Sequence, residues 1–157
     1  MTAVLFVCLG NICRSPSAHA VFRALVASEG LEDKISIDSA GTAAWHTGNM
    51  ADDRARSVGR LRGYDMDDLR ARQVTVLDFD AFDYIIAMDQ NNLQDLQALA
   101  PASYAGHLAL MLDFSGKDSG EVPDPYYGDI TDYEHVFELL EPAATGLLAH
   151  IRDSHNL

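Results

Sequence analysis

The residue types best suited to chemistry stand close together near the start of the chain. Cys8 and Arg14 are separated by five residues, and Ser15 follows directly. A cysteine thiolate is a strong nucleophile, and the planar guanidinium of arginine matches the oxygens of a phosphate group. This grouping indicates a thiol nucleophile placed beneath a bound phosphate or a similar oxyanion.

The segment between the cysteine and the arginine has the composition of an anion-binding loop. It joins an apolar run to an amphipathic stretch that begins at Arg14. A helix start presents unpaired N–H groups and partial positive charge, and a short loop closing on it aims further N–H groups inward. Gly10 has no side chain to block the turn, and Asn11 tolerates a positive φ. The residues predicted to bind the phosphate are Leu9, Gly10, Asn11, Ile12, Cys13, Arg14 and Ser15.

The same surroundings predict the state of the Cys8 thiol. A helix N-terminus and a neighbouring arginine both favour the thiolate, and the Ser15 hydroxyl can donate a hydrogen bond to it. The spacing alone is a weak signal, because such pairs arise by chance and a cysteine at a strand end is often only a small buried residue. The preceding strand, the glycine and the helix start make the catalytic interpretation the stronger one.

Strands and helices alternate along the chain, which predicts an α/β fold with a parallel sheet. Apolar or alternating runs predict strands at 3–8, 35–39, 82–88 and 107–112. Helical spacing predicts helices at 14–29, 51–61, 90–99 and from 131 to about 150. A capping box is expected from Thr131 to Glu134, and a kink or break is expected at Pro142.

The functional edge of this sheet can be placed from the strand ends. Ligands of parallel sheets bind beyond the carboxyl ends of the strands, and Cys8, Ser39 and Asp89 each stand at such an end. A later loop from Asp118 to Asp129, rich in Asp, Gly and Pro, adds three candidate carboxylates. The residues alone do not choose among them: Asp118, Asp124 and Asp129.

Composition and charge limit the class of protein. The 157 residues, 48% hydrophobic and 22% charged, fit one folded domain covering 1–157. Eleven Lys and Arg against 24 Asp and Glu give a net charge of −13, which excludes a general binder of nucleic acid or of an anionic membrane. The chain has no candidate membrane span and no basic signal leader. Two cysteines, expected to be reduced, predict a cytoplasmic protein.

Other sites that bind phosphate or use cysteine fit less well. A Walker A loop would need Gly-Lys followed by Ser or Thr, and a dithiol redox motif would have two residues between its cysteines, where this chain has four. A zinc site needs about four nitrogen or sulfur ligands, and the six histidines are scattered along the chain. The sequence therefore predicts neither a metal nor another cofactor.

Six groups of residues, in a fixed order along the chain, carry a resemblance to a known family. They are Val7–Pro16, Asp38–Thr42 with Trp45, Arg62–Tyr64, Ala71–Gln73, Ala87–Asp89 with Asn92 and Leu93, and Asp124–Gly128. On these motifs the chain resembles the low-molecular-weight protein tyrosine phosphatases from about residue 3 to residue 152. The resemblance implies a four-stranded parallel sheet with helices on both faces, and a phosphate-binding loop after the first strand. It also implies hydrolysis of phosphotyrosine and aryl phosphates through a phosphocysteine intermediate, without a metal.

This resemblance assigns roles to the candidate residues. Cys8 is the expected nucleophile, and Arg14 binds the phosphoryl group. Asp124 is the expected general acid, which then activates water as a base. Ser39 is expected to support the loop and the thiolate together with Asn11 and Ser15.

The expected substrate pocket is aromatic. Trp45, Tyr126 and Tyr127 would wall a phenyl ring, with Ile12 at the pocket floor or rim. Such depth would keep phosphoserine from reaching Cys8. The expected partners are a phosphotyrosine-containing protein, a tyrosine kinase among the candidates, and phosphate or another oxyanion in the active site.

The chain departs from the family pattern at two positions. Leu69 stands where many members carry a histidine that helps to hold the phosphate loop, so that support must be missing or replaced. Asp129 stands where an asparagine is often found. Loop rigidity and pH response are the properties expected to differ.

Two other classes share parts of this pattern. Thioredoxin-coupled arsenate reductases use further cysteines downstream of the loop, and this chain has none after Cys13. A phosphotyrosine-binding module without activity would be expected to lack Cys8 or Asp124, and both are present. Two interpretations of Cys13 stay open: a small packing residue, or a thiol that protects oxidised Cys8 by forming a disulfide.

Overall fold

The computed structural model describes residues 1–116 and 120–157. One sheet holds four parallel strands in the order β2-β1-β3-β4. Their bounds are β1 Thr2–Cys8, β2 Ile35–Gly41, β3 Tyr84–Ala87 and β4 His107–Leu110. The predicted α/β fold with a four-stranded parallel sheet is confirmed.

Five α-helices occur in the described part of the chain. Their bounds are α1 Arg14–Ser28, α2 Asp53–Leu61, α3 Asp78–Ala81, α4 Gln90–Leu99 and α5 Ile130–His155. Buried residues of α1, α2 and α5 share one apolar cluster, and those of α3 and α4 share another. None of the helices formed by residues 1–116 and 120–157 is long and apolar enough to cross a membrane.

Strand β1 separates these two clusters and is buried on both sides. Val4 and Phe6 face the first cluster, whereas Leu5 and Val7 face the second. All four are 0% exposed, as expected for the central strand of a parallel sheet covered on both faces. This packing fixes the end of β1, and with it the position of Cys8.

The order of the strands creates a crevice at the end of β1. The connection that leaves β1 runs to β2 on one side, and the connection that leaves the neighbouring β3 runs to β4 on the other side. The two connections therefore diverge between the carboxyl ends of β1 and β3, and such switch points are where open α/β sheets bind ligands. The loop between β1 and α1 lies at this point.

The last helix begins earlier and ends later than the sequence predicts. Its N-cap is Asp129, whose carboxylate accepts a hydrogen bond from the Thr131 N–H at 3.0 Å, and Asp132 accepts one from the Asp129 N–H at 2.9 Å. The predicted capping box at Thr131 is therefore wrong, because an equivalent box lies two residues upstream. The helix continues unbroken through Pro142 to His155, since apolar residues on both sides of the proline are held in the core.

The remaining differences concern element ends. Strand β4 stops at Leu110 rather than at residue 112, because a 3-10 helix over Met111–Phe114 follows it. Strand β3 and helix α2 begin two residues later than predicted, and the four-residue helix α3 was not predicted. The predicted loop from Asp118 to Asp129 lies partly outside the described residues.

Candidate active site

The loop between β1 and α1 brings together the residues that the sequence singles out. Cys8 is the last residue of β1 and Arg14 is the first residue of α1. Asn11, between them, has a φ of 57°, in the left-handed region that the sequence predicts it to tolerate. We call residues 9–15 the phosphate loop.

Two glycines allow this loop to pack closely. A Cβ on Gly10 would lie 3.0 Å from the Cδ2 of His46, so glycine leaves room for that imidazole beside the loop. A Cβ on Gly41 would lie 2.6 Å from the carbonyl oxygen of Leu9. Position 41 therefore requires glycine, because a side chain there would push the phosphate loop away from the end of β2.

The Cys8 thiol lies among hydrogen-bond donors. Its Sγ is 3.0 Å from the Ser15 Oγ and accepts a hydrogen bond from the Ser15 N–H at 3.4 Å. Asn11 Nδ2 donates to the same Ser15 Oγ at 2.7 Å. The hydroxyl proton is therefore directed either to the sulfur or to the Ala40 carbonyl oxygen, 3.3 Å away. A thiolate would attract that proton, as the sequence predicts.

The carbonyl oxygens of Cys8 and of the phosphate loop accept hydrogen bonds that hold this stretch of backbone. Thr42 N–H donates to the Cys8 oxygen at 2.9 Å, Ala43 N–H to Leu9 at 2.9 Å, and Asp52 N–H to Ile12 at 2.8 Å. By contrast, the N–H groups of residues 9–13 donate no hydrogen bond to any residue that the structure describes. These donors are therefore available to the oxygens of a tetrahedral anion.

Support for the loop does not come from the side chain at position 69. Leu69 is buried in the apolar cluster beside α1 and α5 and has no polar atom to offer. The Asn11 Oδ1 instead accepts a hydrogen bond from the backbone N–H of Arg72 at 3.0 Å. Arg72 is held in turn by ion pairs with Asp38 and Asp78. A backbone donor on a segment fixed by two ion pairs thus helps to hold the phosphate loop in this chain.

Arg14 is buried and surrounded by acceptors. Its Nη1 donates to Asp89 Oδ2 at 2.6 Å and to the Val122 carbonyl oxygen at 3.0 Å, while its Nη2 lies 3.7 Å from Asp124 Oδ2. Burial lowers the pKa of Arg14, but the charge of Cys8 and the bond to Asp89 raise it overall. The sequence marks Asp89 as a strand end and as part of a family motif, but not as a partner of Arg14. Its partnership with Arg14 follows because β3 lies beside β1.

Ser39 lies behind the phosphate loop and contacts α1. Its Oγ is 3.2 Å from the Nδ1 of His19, and its N–H donates to Asp38. These partners lie outside the phosphate loop, so any support that Ser39 gives the loop passes through its neighbour Ala40 or through α1. Burial, followed by the charge of Arg23, lowers the pKa of His19 to about 4, so its imidazole is neutral at neutral pH.

A cavity of about 300 Å³ adjoins Cys8 and the phosphate loop. Its lining comprises Cys8, Leu9, Gly10, Ile12, Cys13, Arg14, Trp45, His46, Asp124, Tyr126 and Tyr127. The four predicted pocket residues all belong to it, and Trp45 and Tyr127 are largely exposed at its mouth. His46 was not predicted, because its contact with Gly10 depends on tertiary packing.

Among the three candidate carboxylates, Asp124 is the one at the cavity. Its Oδ1 accepts a hydrogen bond from the Tyr126 N–H at 3.1 Å, which leaves Oδ2 directed toward Arg14. Asp129 caps α5, and Asp118 lies outside the described residues. Within the described ranges no group of three or more His, Cys, Asp or Glu could hold a metal ion.

A thiol beside a loop with unpaired N–H groups, with an arginine and a carboxylate on the same cavity, defines the class of cysteine-dependent phosphatases. The profile of the family described as low molecular weight phosphotyrosine protein phosphatase matches residues 3–156. The chain belongs to this family.

Named relatives and solved structures agree with this membership. The chain is 45% identical to the low molecular weight protein-tyrosine-phosphatase YfkJ of Bacillus subtilis over 100% of both chains. It is 44% identical to the Streptomyces coelicolor low molecular weight protein-tyrosine-phosphatase, over 96% of this chain and 93% of that one. The crystal structure of a protein tyrosine phosphatase from Entamoeba histolytica, with Hepes in its active site, has a TM-score of 0.93. That structure is 42% identical and covers 98% of this chain and 99% of its own.

Proposed function

We propose that residues 1–157 form one domain that hydrolyses phosphotyrosine and other aryl phosphates with Cys8 as the nucleophile. The observation that carries this proposal is that Cys8 shares a cavity with phosphate-loop residues whose backbone N–H groups have no acceptor among the described residues. Arg14 and Asp124 line the same cavity, and the family match supports the reaction class.

The first step transfers the phosphoryl group to sulfur. The Cys8 thiolate attacks phosphorus, the S–P bond forms, and the bond from phosphorus to the phenolic oxygen breaks. Asp124, in its acid form, gives its proton to that oxygen as it leaves. The N–H groups of the phosphate loop and the Arg14 guanidinium stabilise the charge on the other phosphoryl oxygens.

The second step releases phosphate. Asp124, now a carboxylate, accepts a proton from water as the water oxygen attacks phosphorus. The S–P bond breaks and Cys8 leaves as a thiolate. The hydroxyl and N–H of Ser15, which lie 3.0 and 3.4 Å from the sulfur, stabilise this leaving group. Phosphate then departs, and the starting state is restored.

Pocket depth selects the substrate. Ile12 lies on the lining next to the loop, and Trp45, Tyr126 and Tyr127 extend the cavity outward. A phosphotyrosine ring spans this depth, whereas a phosphoserine side chain is too short to bring its phosphate to the sulfur. Phosphotyrosine-containing proteins, including tyrosine kinases that carry the modification, are therefore the substrates we propose. A reducing compartment such as the cytoplasm would keep the free Cys8 thiol active.

Hydrolysis of an aryl phosphate in the presence of a metal chelator tests this function. The wild-type protein should turn over steadily, and Cys8→Ser should release no product while keeping its fold, because a serine hydroxyl does not ionise at neutral pH. Arg14→Ala should also be inactive through loss of transition-state stabilisation. Appreciable turnover by Cys8→Ser would refute the assigned nucleophile, and stable binding without turnover by the wild type would indicate a phosphotyrosine-binding module.

The cellular substrate can be sought with the same variant. Cys8→Ser keeps the cavity and its N–H groups, so it should retain phosphotyrosine proteins that the wild type releases. Proteins captured by this variant and displaced by free phosphate are candidate substrates. Capture that phosphate does not displace would point to a surface other than the active site.

A further inference from the structure

Arg54 joins the two loops that carry the proposed catalytic residues. It is the second residue of α2, two positions after the N-cap Asp52. Its Nε and Nη2 donate to the two carboxylate oxygens of Asp52, both at 3.0 Å. The N–H of Asp52 donates to the carbonyl oxygen of Ile12 at 2.8 Å, so this pair is anchored to the phosphate loop.

The other side of the Arg54 guanidinium faces residues 122–128, which we call the acid loop. Nη2 donates to the Tyr126 carbonyl oxygen at 3.0 Å, and Nη1 donates to that of Gly128 at 3.4 Å. Val122, at the start of the acid loop, bonds outside it to Arg14 and Met88. The other hydrogen bonds of Tyr126 and Gly128, to Asp124 and Pro125 respectively, stay within the acid loop. Among the described residues, Arg54 is therefore the donor that ties Tyr126 and Gly128 to another element.

The Arg54 guanidinium also contacts two aromatic rings. Its central carbon lies 4.7 Å from the ring centroid of Tyr133, a buried residue of α5, and 5.6 Å from that of Tyr126. Stacking on an aromatic face together with a two-pronged carboxylate partner uses the planar shape of arginine, which lysine lacks. These contacts together restrict the conformation of the Arg54 side chain.

We propose that Arg54 is a positioning residue that holds Asp124 above Cys8 for proton transfer. This inference rests on the proposed function. Asp124 lies two residues before Tyr126, and its own Oδ1 accepts the Tyr126 N–H, so the segment that Arg54 holds is the one that orients the carboxylate. Arg54 is not among the residues that line the cavity. Its effect should therefore appear in leaving-group protonation and not in phosphate binding.

The experiment compares Arg54→Gln and Arg54→Lys with a control, Arg60→Gln. Arg60 belongs to the same helix, but it is exposed and pairs with Asp67, away from the acid loop. For phenyl phosphate, kcat/KM should fall roughly 10- to 100-fold in Arg54→Gln, the scale expected for a catalytic group displaced by about 1 Å. The loss should be smaller in Arg54→Lys, which keeps the charge, and absent in Arg60→Gln.

Two further readouts separate positioning from general loss of structure. With para-nitrophenyl phosphate, whose leaving group needs less protonation, the loss in Arg54→Gln should shrink. Competitive inhibition by inorganic phosphate should be unchanged, because the phosphate loop keeps its N–H groups. Equal losses on both substrates, or weaker inhibition by phosphate, would overturn the proposal.

A double variant completes the test. If Arg54 acts through Asp124, adding Arg54→Gln to Asp124→Ala should cost no further activity, whereas independent effects would multiply. If Arg54→Gln lowers activity as much in the Asp124→Ala background as in the wild type, the positioning role is refuted and the proposed function is not. Full activity in Asp124→Ala would instead refute the general acid itself, and the role of Arg54 with it.

Discussion

Acidification should destabilise this protein through His19, a histidine buried behind the phosphate loop. The residue is 6% exposed, its Nδ1 lies 3.2 Å from the Ser39 Oγ, and burial lowers its pKa from 6.5 to about 4. Between these values the unfolded chain binds a proton that the native protein does not. The contribution to stability is therefore complete above pH 6.5 and is lost as the pH falls toward about 4.

The expected size follows from the same two pKa values. Their difference corresponds to about 3 kcal/mol when the loss is complete, and about 2 kcal/mol of it is already lost near pH 5. Small domains are stable by 5–15 kcal/mol in general, so this loss would be readily measured. The lowered pKa values of Asp52, Asp68, Asp129 and Glu141 also make the protein less stable in acid. That loss sets in as the pH falls through the ordinary carboxyl values of 4.5 for Glu and 3.8 for Asp, below most of the range in which His19 acts.

Urea unfolding at about pH 7 and about pH 5 measures this effect. The matched variant is His19→Asn, whose amide can still bond to Ser39 but does not titrate. The wild type should lose about 2 kcal/mol more than the variant between the two conditions. If both proteins lose the same free energy of unfolding, His19 is not the group responsible and its imidazole must be solvated in the native state.

Three further outcomes are expected. Asp124→Ala should lower kcat/KM for phenyl phosphate by roughly 10²–10⁴-fold and for a better leaving group by less; equal losses would indicate a structural role. Gly41→Ala should lower the melting temperature and weaken inhibition by phosphate, because its Cβ would lie 2.6 Å from the Leu9 oxygen; unchanged inhibition would show that the loop tolerates the shift. After peroxide treatment, a dithiol reductant should restore the activity of the wild type and restore far less activity in Cys13→Ser. Equal recovery would show that Cys13 is only a packing residue. Burial raises the pKa of Cys13 to about 12.

The sheet and the phosphate loop could be predicted because their signals are local. A continuous apolar run specifies β1, and the glycine, the asparagine and the helix start that follow it specify an anion-binding turn. The positive φ of Asn11 agrees with the tolerance for this conformation that its residue type indicates. The start of α5 was missed although its signal is also local, because Asp129 with Asp132 and Thr131 with Glu134 both fit a capping box. Only the structure shows which pair is used.

Contacts between distant segments could not be predicted in this way. Asp89 reaches Arg14 because β3 pairs with β1, and His46 fits beside Gly10 because the segment after β2 folds back over the loop. Arg54 stands in a run of charged residues that looks like an ordinary solvated helix face. Its bonds to the acid loop depend on the packing of α2 against α5, which no spacing in the sequence reveals.

The unbroken helix α5 also determines where the protein can be attached to other molecules. Its 26 residues correspond to about 39 Å, and they begin beside the acid loop. They end at His155, whose Nε2 lies 3.1 Å from the hydroxyl of Tyr84, the first residue of β3. The start of β1 lies at the same edge of the sheet, since the strands are parallel. Both ends of the chain therefore lie on the side opposite the cavity. A fluorescent label, an affinity tag or a surface tether could be joined to either end, and protein immobilised in this way would keep the opening of the cavity exposed to solution.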